Sequence, residues 1–87
     1  MTYHIELAPN AYNFLEKLVK SQKNMADRLK AAIDELRNSP HLGKKLAGEL
    51  RDFRSLRVGD YRILYIVVEN KILIQIVKIG HRRDIYR

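Results

Sequence analysis

The sequence predicts a single α+β domain over residues 1–87, with elements in the order β-α-α-β-β-β and a helical pair packed on a mainly antiparallel, twisted sheet. Three patterns lead there. A short alternating segment opens the chain, two stretches with apolar residues at helical spacing follow, and three strand-like runs rich in β-branched residues close it. A chain of 87 residues holds one apolar core, so one domain with one site is expected.

In the first segment, residues 3–7, Tyr3, Ile5 and Leu7 alternate with His4 and Glu6, the pattern of a half-buried strand. Pro9 suits the first turn of a helix, where its missing N–H costs nothing. Ala11, Phe14, Leu15, Leu18 and Val19 then form one apolar stripe, with Asn13, Glu16, Lys17 and Lys20 around the other side. Residues 21–24 break the pattern. A second helix, capped near Asn24, carries Met25, Leu29, Ala32, Ile33 and Leu36 on its core face until Asn38-Ser39-Pro40 stops it.

Gly43 and Gly48 interrupt any period in residues 41–50, which predicts a charged connection bringing Lys44 and Lys45 toward the sheet. Residues 53–58 alternate as a strand. Leu56 and Val58 are the better core pair, so Ser55 and Arg57, with Phe53, are expected on the open side and Arg54 near an edge. Gly59-Asp60 marks a turn. Residues 61–68 and 72–79, separated by Glu69-Asn70-Lys71, have the spacing of an antiparallel hairpin and are expected at the centre of the sheet. With the helices on one sheet face, the other is left partly open.

The charge is uneven. Net charge is +7, yet residues 1–43 carry six basic against five acidic residues, whereas residues 44–87 carry eleven against five. An excess of this kind attracts polyanions at long range and favours nucleic acid modestly over an anionic lipid contact or a plain soluble surface, so the placement of the charges has to decide. The chain has no cysteine, which removes disulfides and thiolate metal sites and fits a reducing cytoplasm. No apolar run is long enough to cross a bilayer and no secretory leader is recognisable, so a soluble cytoplasmic protein without a membrane partner is expected. His4, His41 and His81 have no ligand spacing, and the glycines form no phosphate-cradling motif. Neither a metal nor another cofactor is expected.

Arg57, Arg62 and the tail His81-Arg82-Arg83 carry the chemical interest. If the last two strands pair, Arg62 and that tail lie at the same end of the sheet and can converge with Arg57. Fixed guanidinium groups suit RNA cleavage, because attack of a ribose 2′-hydroxyl on its neighbouring phosphate gathers negative charge in the transition state. Lys44, Lys45, Arg51 and Arg54 are the candidate RNA-binding cations around it. Each residue alone also fits a plainer role: a surface histidine, a solvated lysine loop, or a strand-edge ion pair with Asp52, Asp60 or Glu69. Ser55 lacks the partners of a nucleophile.

Residues 56–65, Leu-Arg-Val-Gly-Asp-Tyr-Arg-Ile-Leu-Tyr, and residues 80–87, Gly-His-Arg-Arg-Asp-Ile-Tyr-Arg, resemble two motifs of the RelE family within the RelE/ParE toxin superfamily. With the helix pair, the resemblance covers nearly the whole chain. It implies a RelE-like fold and the toxin of a type II toxin–antitoxin system. The implied activity is that of a metal-independent mRNA endoribonuclease (mRNA interferase), acting on the ribosome through 2′-hydroxyl attack. The implied partners are the ribosome with its mRNA and a co-encoded RelB-like antitoxin with an acidic, helix-rich segment, in assemblies up to a heterotetramer.

Carried over by position, Arg62 corresponds to the phosphate-stabilising arginine and Tyr86 to the C-terminal base-orienting tyrosine. Either Arg82 or Arg83 takes the charge-stabilising or leaving-group role. Where one branch of the family has lysines on the first strand of the meander, this chain has Phe53 and Ser55, with Arg54 and Arg57 nearby. The general base is therefore open, and His81 is the candidate replacement. Two other readings use the same scaffold: a ParE-type inhibitor of DNA gyrase, and a noncatalytic RNA-binding module.

Overall fold

Five strands form one sheet in a computed structural model that describes residues 2–85. The elements are β1 (His4–Leu7), α1 (Pro9–Ser21), α2 (Lys23–Leu36), β2 (Lys44–Lys45), β3 (Arg54–Val58), β4 (Tyr61–Val68) and β5 (Leu73–His81). The five strands lie in the order β1-β5-β4-β3-β2. β1 runs parallel to β5 and the other pairs are antiparallel, so β4 and β5 are interior, as their β-branched runs predict.

Both helices cover one face. Leu15 and Leu18 of α1 and Leu29, Ile33 and Leu36 of α2 pack in one cluster with Ile63, Tyr65, Ile74, Ile76 and Ile79 from the two interior strands. Burying each of these aliphatic side chains contributes about 1.5–3 kcal/mol, which makes this layer the main source of stability.

Besides one-residue shifts at the starts of β1 and β3, three regions differ from the sequence expectation. The expected cap at Asn24 is displaced: α2 starts at Lys23, and Gln22 is the single residue between the helices. The Gln22 N–H closes α1 on the Leu18 carbonyl at 2.7 Å, while its own carbonyl accepts from the Ala26 N–H at 3.0 Å, so one backbone unit ends one helix and starts the next. The connection after α2 is not wholly a loop. Lys44 and Lys45 form an edge strand opposite Ser55 and Arg54, and Gly48–Leu50 is a short 3-10 turn.

The third difference is in β5, which runs from Leu73 to His81, because Ile72 sits in the left-handed region at φ 50°. That conformation is unfavourable for a β-branched residue and delays the strand by one position. Pairing is also irregular at Leu64/Tyr65: Leu64 faces Lys78 whereas Tyr65 faces Ile76, leaving Val77 as an extra residue in β5.

Candidate nucleic-acid interface

The face of the sheet away from the helices is assembled by strand register. Ile63 and Tyr65 are in the helix-side core, so Arg62 and Leu64 between them take the opposite side. Cross-strand partners share a face. Two neighbouring rows therefore cross the open side, Arg57–Arg62–Gly80 and Lys44–Ser55–Leu64–Lys78. Four cations from four adjacent strands thus occupy one surface. Among the described strands the acid on this side is Glu6, on the far edge strand β1 opposite Gln75.

Arg57 and Arg62 are directly opposite each other on β3 and β4. Like charges in that relation destabilise a sheet pair unless an anion joins them. Among the described residues neither arginine has an acidic partner at ion-pair distance: Arg57 Nε donates to the Gly59 carbonyl at 3.1 Å, and Arg62 Nη1 reaches Ser55 Oγ at 3.5 Å. The plainer reading, an ion pair of Arg57 or Arg62 with Asp52, Asp60 or Glu69, is not what the described residues form. Ser55 is on the open side by register, as predicted, but is only 4% exposed, so it is part of the floor and is screened from solvent.

After β5 the chain turns back over this surface. The Arg82 N–H donates to the Asp60 carbonyl at 2.8 Å, and the Asp84 and Ile85 N–H groups donate to the His81 carbonyl at 2.8 and 3.1 Å. Ile85 is 1% exposed and lies over Gly80, where a Cβ would stand 3.6 Å from Ile85 Cδ1. Lys78 Nζ donates to the Asp84 carbonyl at 3.3 Å, tying strand and turn together. Arg82 and Arg83 are exposed in this turn. Tyr86 lies outside the described residues.

His81 is at the expected end of the sheet but on the other face. It pairs with Tyr61, and its ring meets the Tyr61 ring edge-on at 5.5 Å between centroids. Tyr61 in turn packs against Phe14 of α1, on the helix side. His81 Nδ1 accepts the Arg83 N–H at 3.3 Å. The histidine and Arg62 are therefore separated by the thickness of the sheet.

The four residues expected to bind RNA also divide. Lys44 shares the open face with Ser55, whereas Lys45, Arg51 and Arg54 line a hollow of about 260 Å³ at the other end of β3, together with His41 and Glu69. Arg54 has a structural task there, donating to the Gly43 carbonyl at 2.9 Å. Among the described residues no group of three or more His, Asp or Glu side chains is arranged to hold a metal ion, and no helix is long and apolar enough to cross a membrane.

Lys78 was not visible as a site residue in the sequence. Counting alternately from Ile74 and Ile76 points position 78 into the core. The extra residue Val77 reverses the parity, turning Lys78 outward and Ile79 inward. The available signal was the Lys78-Ile79 pair itself, a cation where the period asks for an apolar residue.

Comparison with known proteins agrees with this architecture. Residues 5–86 match the family described as the ParE toxin of type II toxin-antitoxin system, parDE. Toxin RelE of Mycobacterium tuberculosis is 33% identical over 86 residues, covering 98% of this chain and 87% of that protein. Toxin RelG of the same organism is 33% identical over 88 residues, covering 100% of this chain and 99% of its own. In the crystal structure of the toxin-antitoxin complex RelBE2 from M. tuberculosis, one chain matches with a TM-score of 0.83 at 26% identity, over 94% of this chain and 100% of that one. The fold is thus that of the RelE-like toxins. The chain belongs to the ParE toxin family and is the toxin of a type II toxin–antitoxin system.

Proposed function

We propose that this toxin is a ribosome-dependent mRNA endoribonuclease whose open sheet face holds the scissile phosphate. The observation that supports it most is the opposed pair Arg57 and Arg62, without acidic partners among the described residues, on a surface that also carries Lys44 and Lys78. In this reading the ribose 2′-oxygen gives its proton to solvent and forms a bond to phosphorus while the bond to the 5′-oxygen breaks, the leaving oxygen takes a proton from solvent, and a 2′,3′-cyclic phosphate remains. Arg62 and Arg57 bind the phosphate oxygens as charge accumulates, an effect that operates chiefly in the transition state. Arg82 and Arg83 flank the leaving group from the turn after β5, and Tyr86 orients a base. His81 reaches the surface only around the end of the sheet, so its part is to flank the site. The chemistry uses side chains alone and needs no metal.

The partner that restrains the toxin is a co-encoded antitoxin with an acidic segment that covers the basic face, and the place of action is the cytoplasm, where ribosomes are. Family membership and the structural likeness to a toxin-antitoxin complex support this. The experiment is single-turnover cleavage of mRNA on programmed ribosomes, in parallel with a DNA gyrase supercoiling assay. Cleavage without gyrase inhibition is expected. Gyrase inhibition without cleavage would replace this reading with the ParE-type one.

A further inference from the structure

We infer that Lys78 is a further phosphate-binding residue of the open face, contacting the RNA backbone beside the phosphate held by Arg57 and Arg62. The inference rests on the reading of this face as an RNA site. Lys78 stands in the row next to Arg62: Arg62 faces Gly80, and Lys78 is two positions before Gly80 on the same strand. Diagonal neighbours in an antiparallel pair are about 7–8 Å apart, close to the spacing of successive phosphates in an extended single strand and within reach of a long side chain. Lys44 lies further along the same row, beyond Leu64 and Ser55, so the cations of both rows line one track across the sheet.

The orientation is imposed by the fold. The irregularity at Leu64/Tyr65 turns Lys78 out of the core, and the bond to the Asp84 carbonyl at 3.3 Å holds its ammonium toward the C-terminal turn. An ammonium has three donors, so a bond to one carbonyl is compatible with another to a phosphate oxygen.

The test uses Lys78→Met, which keeps the aliphatic stem, Lys78→Gln, which keeps a neutral donor, and Lys78→Arg, which keeps the charge. Binding of the full-length toxin to a single-stranded RNA oligomer is measured from low to moderate salt, with a thermal melt as the folding check and ribosomal cleavage alongside. The plot of log affinity against log salt should flatten by about 0.7 in Lys78→Met and Lys78→Gln, the value for one lost phosphate contact on a single strand, and recover in Lys78→Arg. A residue that only ties the turn would leave that slope unchanged even where stability or cleavage falls. An unchanged slope in folded Lys78→Met and Lys78→Gln therefore overturns the inference. If the unmodified toxin fails to cleave but these slopes flatten, Lys78 is a phosphate contact and the endonuclease reading fails by itself.

Discussion

The hydroxyl of Tyr65 accepts the Gly43 N–H at 2.8 Å and donates to the Pro40 carbonyl at 2.8 Å, so one core side chain pins the connection between α2 and β2 to the sheet. This explains why Lys44 and Lys45 reach β3 as a strand. The fit leaves no room at Gly43, where a Cβ would stand 2.7 Å from Tyr65 Oη and 3.1 Å from the Ser55 carbonyl carbon. Tyr65→Phe leaves two backbone groups without this partner and should cost about 1–3 kcal/mol in chemical denaturation. Gly43→Ala should cost about 1–3 kcal/mol through overpacking. Wild-type stability in both variants would refute the pinning role.

The same hydroxyl predicts an alkaline limb. Burial raises the Tyr65 pKa above its ordinary 10.0, outweighing the Gly43 amide bond and the Arg54 charge, which lower it. The unfolded chain then ionises first as pH rises. The contribution is complete below about pH 10 and lost as pH climbs through the raised folded value. Unfolding midpoints between pH 9 and 11 should fall less steeply in Tyr65→Phe than in the unmodified protein.

An acid limb is predicted from Glu69, which anchors the same connection through His41. Glu69 accepts from Tyr3 Oη at 2.7 Å and pairs with His41 Nε2 at 2.7 Å, joining the start of β1, the post-α2 connection and the β4–β5 turn. The Tyr3 bond, then the His41 bond, lower the Glu69 pKa from its ordinary 4.5. The stabilisation is present above that value and lost as pH falls through the lower folded one. Urea titrations of Glu69→Gln and unmodified protein should differ at pH 6 and converge as the pH drops below 4. A constant difference throughout would remove the assignment.

For the chemistry, Arg62→Ala should slow single-turnover cleavage by roughly 10² to 10³, about 3–4 kcal/mol, with a much smaller change in ribosome affinity. The separation of rate from binding is what identifies transition-state stabilisation. Lys17→Ala, on the exposed side of α1, is the control and should be unaffected. Full activity in folded Arg62→Ala would exclude the proposed mechanism.

The turn over the open face is held by the buried Ile85 side chain as well as by its hydrogen bonds. Ile85→Ala should free residues 82–85 to open locally while the helix-side core persists, since Ile85 lies outside that cluster. Cleavage should fall with little change in the global unfolding midpoint, and amide exchange should speed up at Ile85. Ile85→Val, one methylene smaller, should retain most of both, at a cost of about 0.5–1.5 kcal/mol. A cooperative loss of the whole fold in Ile85→Ala would show that the turn belongs to the main core.

Periodicity made the helix stripes, the interior hairpin and the open-side placement of Arg57 legible, because alternation and helical spacing are local properties of the chain. The motifs in residues 56–65 and 80–87 made the family legible as well. Sequence could not show that His81 faces the helix side beside Tyr61: its position after a bulged strand depends on pairing with residues twenty positions away. Nor could it separate Lys44, on the open face, from Lys45, Arg51 and Arg54 in the hollow.

The apolar pattern by itself determined the two helices and the strands β1, β3, β4 and β5, and which side chains they bury up to Ile76, since burial is paid for residue by residue at a period of 3.6 or 2. Only tertiary structure decided which cations meet. Val77 reverses the face of every later residue in β5, and the Tyr65 hydroxyl converts a loop into an edge strand. Both effects arise from cross-strand register and long-range hydrogen bonds, which connect residues that no local period links.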